Sequence, residues 1–142
     1  MYKVRKLFKF EAAHVLESSY SLDCQNIHGH SYEVEVILKS KKLNKDGMVC
    51  DFGELKDIIS SIFMGFDHSV IVPESLSELI INTAFVKHAI IVKYNPTAEN
   101  MAKHFYDLIE DEMLVYGFED VKIHKVIVHE TKTGWASYQE RK

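Results

Sequence analysis

A thiol and two imidazoles stand within seven residues at Cys24-Gln25-Asn26-Ile27-His28-Gly29-His30, immediately ahead of an alternating segment over 31–38. In extended backbone, side chains two apart share a face, so His28 and His30 point to one side while Gly29 leaves room between them. The same phase continues through Tyr32, Val34, Val36 and Leu38, whereas the other carries Ser31, Glu33, Glu35 and Lys39. The two histidines therefore open the buried face of a strand. Upstream, Phe8, Phe10, Ala12 and His14 repeat this alternation and end on a third imidazole. If the two strands pair, the three imidazoles converge. Three neutral nitrogen ligands with a fourth position left open is the arrangement of a catalytic zinc site. An isolated His-x-His pair reads more often as satisfied or solvated histidines than as a metal site; the in-phase His14 and the neighbouring Cys24 turn the balance to metal.

That motif sits in a chain of 142 residues, enough for one domain with a core of its own and with no linker or repeat to divide it. Hydrophobic residues make up 46% and charged residues 27%, an ordinary globular balance with no run of membrane-spanning length. The basic start, Met1 to Lys6, leads into a charged alternating pattern and not an apolar signal core, and two cysteines are too few for a disulfide framework. A reducing cytoplasm is the expected compartment. A net charge of −4 argues against a nucleic-acid footprint, and Lys3, Arg5, Lys6 and Lys9 read most simply as a solvated strand face.

After the two N-terminal strands, Asn44-Lys45-Asp46-Gly47 signals a turn in which Gly47 can take positive φ. Asp51, with Glu54 three residues on, caps a predicted helix whose apolar stripe is Phe52, Leu55, Ile58, Ile59 and Ile62. A less regular stretch over 73–95 can hold a short helix over 75–82 and a short strand over 89–92. Thr97 caps a second long helix, with Ala98, Met101, Ala102, Phe105, Leu108 and Ile109 on one face and Gly117 suited to its end. The β-branched run 121–129, a turn over 131–134 and a return strand over 135–138 complete the order. Strand, strand, helix, insert, helix, strand, strand predicts an α+β layer: an antiparallel sheet with two helices packed on one face.

Three further places carry chemistry. Asp67-His68 is either a solvated pair or a relay in which the carboxylate fixes the imidazole tautomer. Glu130 ends an apolar strand and is either an exposed terminus or a carboxylate able to accept two parallel hydrogen bonds from an amidine-like ring edge. Cys24 can act as a fourth ligand, a small buried apolar group, or a thiolate whose basicity a nearby metal would tune.

Taken in order, Phe10-Glu11-Ala12-Ala13-His14, Cys24 with His28-Gly29-His30, Gly47-Met48-Val49-Cys50-Asp51-Phe52 with Glu54-Leu55-Lys56, Asp67-His68, Asn95-Pro96-Thr97-Ala98-Glu99-Asn100 and His129-Glu130-Thr131 resemble the 6-pyruvoyltetrahydropterin and 6-carboxytetrahydropterin synthase family. The resemblance spans nearly the whole chain. It implies the T-fold, or tunnelling fold, in which sheets of several subunits join into a barrel and trimers stack as a hexamer with active sites between subunits. It implies His14, His28 and His30 as zinc ligands, Cys24 as catalytic base, Asp67 and His68 as relay, and Glu130 as the pterin anchor, with Thr97 and Glu99 lining the pterin pocket.

The implied activity is that of a zinc-dependent lyase acting on 7,8-dihydroneopterin triphosphate in 7-deazaguanine (queuosine) synthesis. Of the two close relatives, the four-residue step from Cys24 to His28 and the ending Glu130-Thr131-Lys132-Thr133-Gly134 resemble the bacterial carboxy type, which releases acetaldehyde and triphosphate, more than the pyruvoyl type. Two departures stand out: Gln25 and Asn26 replace the Gly-Arg that carboxy-type members commonly carry after the cysteine, and the span from His68 to Pro96 is longer than in compact members. Two readings from other classes predict different sites. A three-histidine zinc hydrolase needs neither Cys24 nor Glu130, and a non-catalytic zinc-stabilised binding module would close the site with a zinc–sulfur bond.

Overall fold

The computed structural model describes residues 1–140, so the last two of the expected 1–142 domain lie outside the described residues. Two long strands, β1 (Tyr2–His14) and β2 (His28–Ser40), pair antiparallel along their whole length, from Tyr2 opposite Ser40 to His14 opposite His28. Their even-numbered residues go inward as the alternation requires: Phe8, Phe10, Ala12, Tyr32, Val34 and Val36 are all buried. Lys9, Glu11 and the rest of the opposite phase stay exposed or half-exposed.

Helix α1 (Phe52–Phe66) starts where the Asp51 carboxylate accepts hydrogen bonds from Gly53 N at 2.7 Å and Glu54 N at 3.2 Å. Its core stripe is Leu55, Ile58, Ile59, Phe63 and Phe66. Phe52 departs from expectation: it is exposed, with the Lys6 ammonium 5.8 Å from its ring centre. The chain then forms β3 (Ser69–Pro73), a single 3₁₀ turn with the short helix α2 (Ser77–Ile81), and β4 (Ala89–Val92). Helix α3 (Ala98–Val115) is capped by Thr97, whose hydroxyl accepts from Asn100 N, and ends ahead of Gly117 at a φ of 76°. Strands β5 (Val121–His129) and β6 (Trp135–Tyr138) close the order.

The six strands lie in the order β4-β3-β1-β2-β5-β6. The expected antiparallel sheet holds for β1, β2, β5 and β6, but β3 joins β1 in parallel and β4 joins β3 in parallel, so the whole sheet is mixed. Parallel neighbours are reached here through helix α1 and the segment around α2, which supply the crossovers that parallel pairing demands. Helix α1 packs on β1 and α3 on β5 and β6, so both long helices cover one sheet face. Aromatic rings fill the layer between: Phe63 lies 4.9 Å from Phe8 and 5.1 Å from Phe105, centre to centre, and Phe10 stacks on Tyr32 at 4.9 Å. The other sheet face is open and carries charge, with Arg5 bonded to Glu35 at 3.0 Å and Glu35 to His129 at 2.9 Å. No helix among the described residues is long and apolar enough to cross a membrane.

Candidate metal centre and pterin site

Cross-strand register brings the three histidines together. His14 stands directly opposite His28, and His30 stands opposite Ala12, one pleat along on the same face. One ligand nitrogen from each of the three lies within 4.8 Å of the others. Their free nitrogens follow from the bonds already made. The His14 Nδ1–H donates to the Pro96 carbonyl at 2.8 Å and the His28 Nδ1–H donates to the Asn26 carbonyl at 2.8 Å, which leaves both Nε2 atoms bare in the neutral rings.

Those two Nε2 atoms face each other at 2.9 Å, and the buried Nε2 of His30 has no hydrogen-bond partner among the described residues. Lone pairs aimed at one point in a dry setting repel unless a cation lies between them, so the donor set fits a bound metal ion. Burial drives the His14 pKa down to about 4, with the neighbouring imidazoles adding to the fall and the Pro96 bond opposing it. His30 is lowered by burial and by His28. At neutral pH His14 is therefore the neutral imidazole that metal ligation requires.

Pro96 is held over His14 by its neighbour. The Asn95 side chain accepts from Glu17 N at 2.9 Å and donates to the Ser18 carbonyl at 3.1 Å, tying the turn before α3 to the loop after β1. The orienting carbonyls of Pro96 and Asn26 were not foreseen, because a backbone group leaves no mark in a sequence. Glu130, just past β5, brings Oε1 to 3.8 Å from His14 Nε2. Burial pushes its carboxyl pKa up, His28 opposes the rise and Glu99 adds to it. Glu99 itself is exposed in the first turn of α3. Tyr32 is fully buried in the same layer with its hydroxyl unpartnered among the described residues, and burial and Glu130 both raise its pKa.

Cys24 lies half-buried in a single 3₁₀ turn, Asp23–Gln25, pinned by Leu16 N donating to its carbonyl at 3.2 Å. Its sulfur does not join the histidine ligand set. Asp67 and His68 do form a bonded pair, Asp67 Oδ2 accepting from His68 Nδ1 at 2.7 Å, while Asp67 Oδ1 accepts from Glu11 N at 2.8 Å. The bonds from Glu11 N and His68 hold the Asp67 carboxyl below its ordinary range. His68 adopts a φ of 55°, an uncommon setting for a residue with a Cβ, fixed by its N–H on the Glu11 carbonyl. Neither residue hydrogen-bonds to the triad among the described residues. His68 lines a shallow depression of about 350 Å³ with Glu11, Ala12, Ala13, Gly29, His30 and Ser31, at the end of the β1–β2 ladder that carries the histidines.

Comparison with known proteins agrees with this architecture. A family profile described as 6-pyruvoyl tetrahydropterin synthase matches residues 3–141. The chain is 32% identical over 161 residues to the 6-carboxy-5,6,7,8-tetrahydropterin synthase of Aquifex aeolicus, covering 98% of each chain. It is 30% identical over 148 residues to the enzyme of that name from Haemophilus influenzae, covering 99% of this chain and all of the other. Among solved structures, an uncharacterized protein of Wolinella succinogenes superposes with a TM-score of 0.81 at 22% identity, covering 99% of this chain and 98% of the other. The 6-pyruvoyl tetrahydropterin synthase of Caenorhabditis elegans superposes at 0.71 and 24% identity, covering 99% and 96%. With the motifs in order and the family profile spanning nearly every residue, the chain belongs to the 6-pyruvoyl tetrahydropterin synthase family.

Proposed function

We propose that the protein converts 7,8-dihydroneopterin triphosphate and one water to 6-carboxy-5,6,7,8-tetrahydropterin, acetaldehyde and triphosphate; the relatives named 6-carboxy-5,6,7,8-tetrahydropterin synthase support the 6-carboxy product. The observation that carries the reading is the convergence of bare histidine nitrogens beside the Glu130 carboxylate. His14, His28 and His30 would hold a zinc ion, which when bound supplies Lewis acidity toward the hydroxyl-bearing side chain of the substrate. Glu130 accepts paired hydrogen bonds from the amidine-like edge of the pterin ring and keeps the side chain in register with the histidines. Thr97 and Glu99 flank the ring at the start of α3. Cys24, outside the ligand set, is available as a thiolate base toward a side-chain proton. Its absence from that set favours an open site over a closed structural one.

Asp67 holds His68 by Nδ1, which leaves His68 Nε2 free to accept and return a proton. Among the described residues His68 is largely exposed and makes no bond to its own triad, which favours service to the site of a neighbouring copy. That placement supports an oligomer with active sites shared between subunits. Incubation of the zinc-loaded protein with the triphosphate, followed by mass spectrometry, tests the assignment. Acetaldehyde together with the 6-carboxy product is expected; 6-pyruvoyltetrahydropterin as the sole stable product would overturn it.

A further inference from the structure

Strand β3 pairs with β1 only over Ala12–His14, so among the described residues the preceding length of β1 has no strand on that side. Between this bare edge and α1 runs a groove of about 480 Å³, floored in part by Phe63, with Lys6, Lys9, Lys56 and Ser60 along it and Asp67 among its lining residues. The three ammonium groups come from two elements for independent reasons. Lys56 stands one turn from Phe52 on the exposed stripe of α1, and the Lys6 ammonium is held over that Phe52 ring at 5.8 Å. Lys9 reaches Glu33 at 3.0 Å, an exposed ion pair readily exchanged for a stronger anion. Besides Glu33, the carboxylate that stands against them is Asp67, already engaged by Glu11 N and His68. In a chain of net charge −4 this is a local concentration of positive charge.

The reading above makes triphosphate the leaving group, and a polyanion departing with the electron pair of a C–O bond needs cations where its charge accumulates. Near the triad stand Glu130 and Glu99, both of the wrong sign, and among the described residues lining the cavity that His30 and Glu130 share there is a single cation, Lys132; residues 25 and 26 are neutral. On the shared-site reading above His68 reaches a neighbouring copy's site, and the groove lined by its bonded partner Asp67 lies beside it. We propose that Lys6, Lys9 and Lys56 bind the triphosphate of the substrate seated in a neighbouring copy's site, alongside His68 of their own chain. This rests on the lyase reading for its substrate, while the groove itself is a polyphosphate site testable without turnover.

The test is calorimetric titration of inorganic tripolyphosphate into the zinc-loaded full-length protein, its Lys6→Ala/Lys9→Ala/Lys56→Ala variant and the corresponding triple arginine variant. Wild type and the arginine variant are expected to bind. The alanine variant is expected to lose about a hundredfold or more in affinity, as removal of several charge-assisted bonds implies, with zinc content, oligomer size and binding of phosphate-free neopterin unchanged. Absence of tripolyphosphate binding to wild type, equal binding by the alanine variant, or equal loss in the arginine variant would each overturn the proposal. Tripolyphosphate binding that follows the lysines in a protein that forms no product from the pterin triphosphate would reject the lyase reading and leave the anion site standing.

Discussion

His14 has one nitrogen committed to a backbone carbonyl and one aimed at His28, and the cost of that arrangement depends on what the second nitrogen meets. With zinc the lone pairs are satisfied, so His28→Ala is expected to abolish the stoichiometric metal found by elemental analysis. Cys24→Ala should keep the metal while turnover falls about a hundredfold or more, as loss of a general base implies; a metal-free Cys24→Ala protein would make the thiol a ligand. Without zinc the same histidine makes stability depend on pH. Its folded pKa of about 4 lies below the 6.5 of a free imidazole, so above 6.5 both states are neutral and stability is full. As pH falls through that window the unfolded chain takes up the proton first, and the chelator-stripped protein should lose stability by up to about 1.4 kcal/mol per pH unit. Urea midpoints measured down this window check it, and a flat profile would show that His14 does not titrate as its burial requires. The convergence of the three histidines was legible because strand phase puts His14, His28 and His30 on one face, whereas the carbonyls that orient them leave no mark in a sequence.

Among the elements, α1 joins the two layers. Phe63 touches the rings of Phe8, Phe10 and Phe105, with centres 4.9, 6.1 and 5.1 Å away. Phe63→Ala should therefore cost about 3–5 kcal/mol, the price of an aromatic cavity in a packed core, read as a lowered urea midpoint with zinc still bound. Such elements could be read directly: long strands with clean alternation and helices with caps at Asp51 and Thr97 declare themselves over many residues. Strand β3 could not. Five residues, Ser69–Pro73, buried apart from Val70, show no alternation, and their partners in β1 and β4 are distant in sequence and parallel. Phe52 was misplaced for a related reason. Helical spacing assigns a face but cannot tell that its first turn projects beyond the edge of the sheet.

At the scale of the whole molecule, the histidine triad is buried or half-buried while Asp67-His68 lies exposed where β3 joins β1. If each site draws its relay from a neighbouring copy, Cys24→Ala and His68→Ala variants, inactive alone, should regain activity when dissociated, mixed and reassembled. Random mixing pairs an intact Cys24 with a neighbour's intact His68 in about a quarter of sites. Activity that stays at the level of the separate variants would place both groups in one chain's site. Sequence order pointed to the layer architecture but not to this exposure, because how a loop residue is presented depends on how its strand is docked. His68 owes its presentation to a left-handed backbone turn that no neighbouring glycine announces.

The pairing of His14 with His28 across one antiparallel ladder also has a bearing on assembly in time. All three ligand nitrogens belong to the first thirty residues and are joined by a single short loop, whose closure is inexpensive compared with bringing in the distant strands. Cys24 lies in that loop, and the other groups proposed for the site arrive later along the chain, first Asp67 and His68, then the Pro96 carbonyl, then Glu130. A nascent β1–β2 hairpin thus already holds all three histidines of the candidate metal site, which is encoded as a local unit on which the rest of the fold is built.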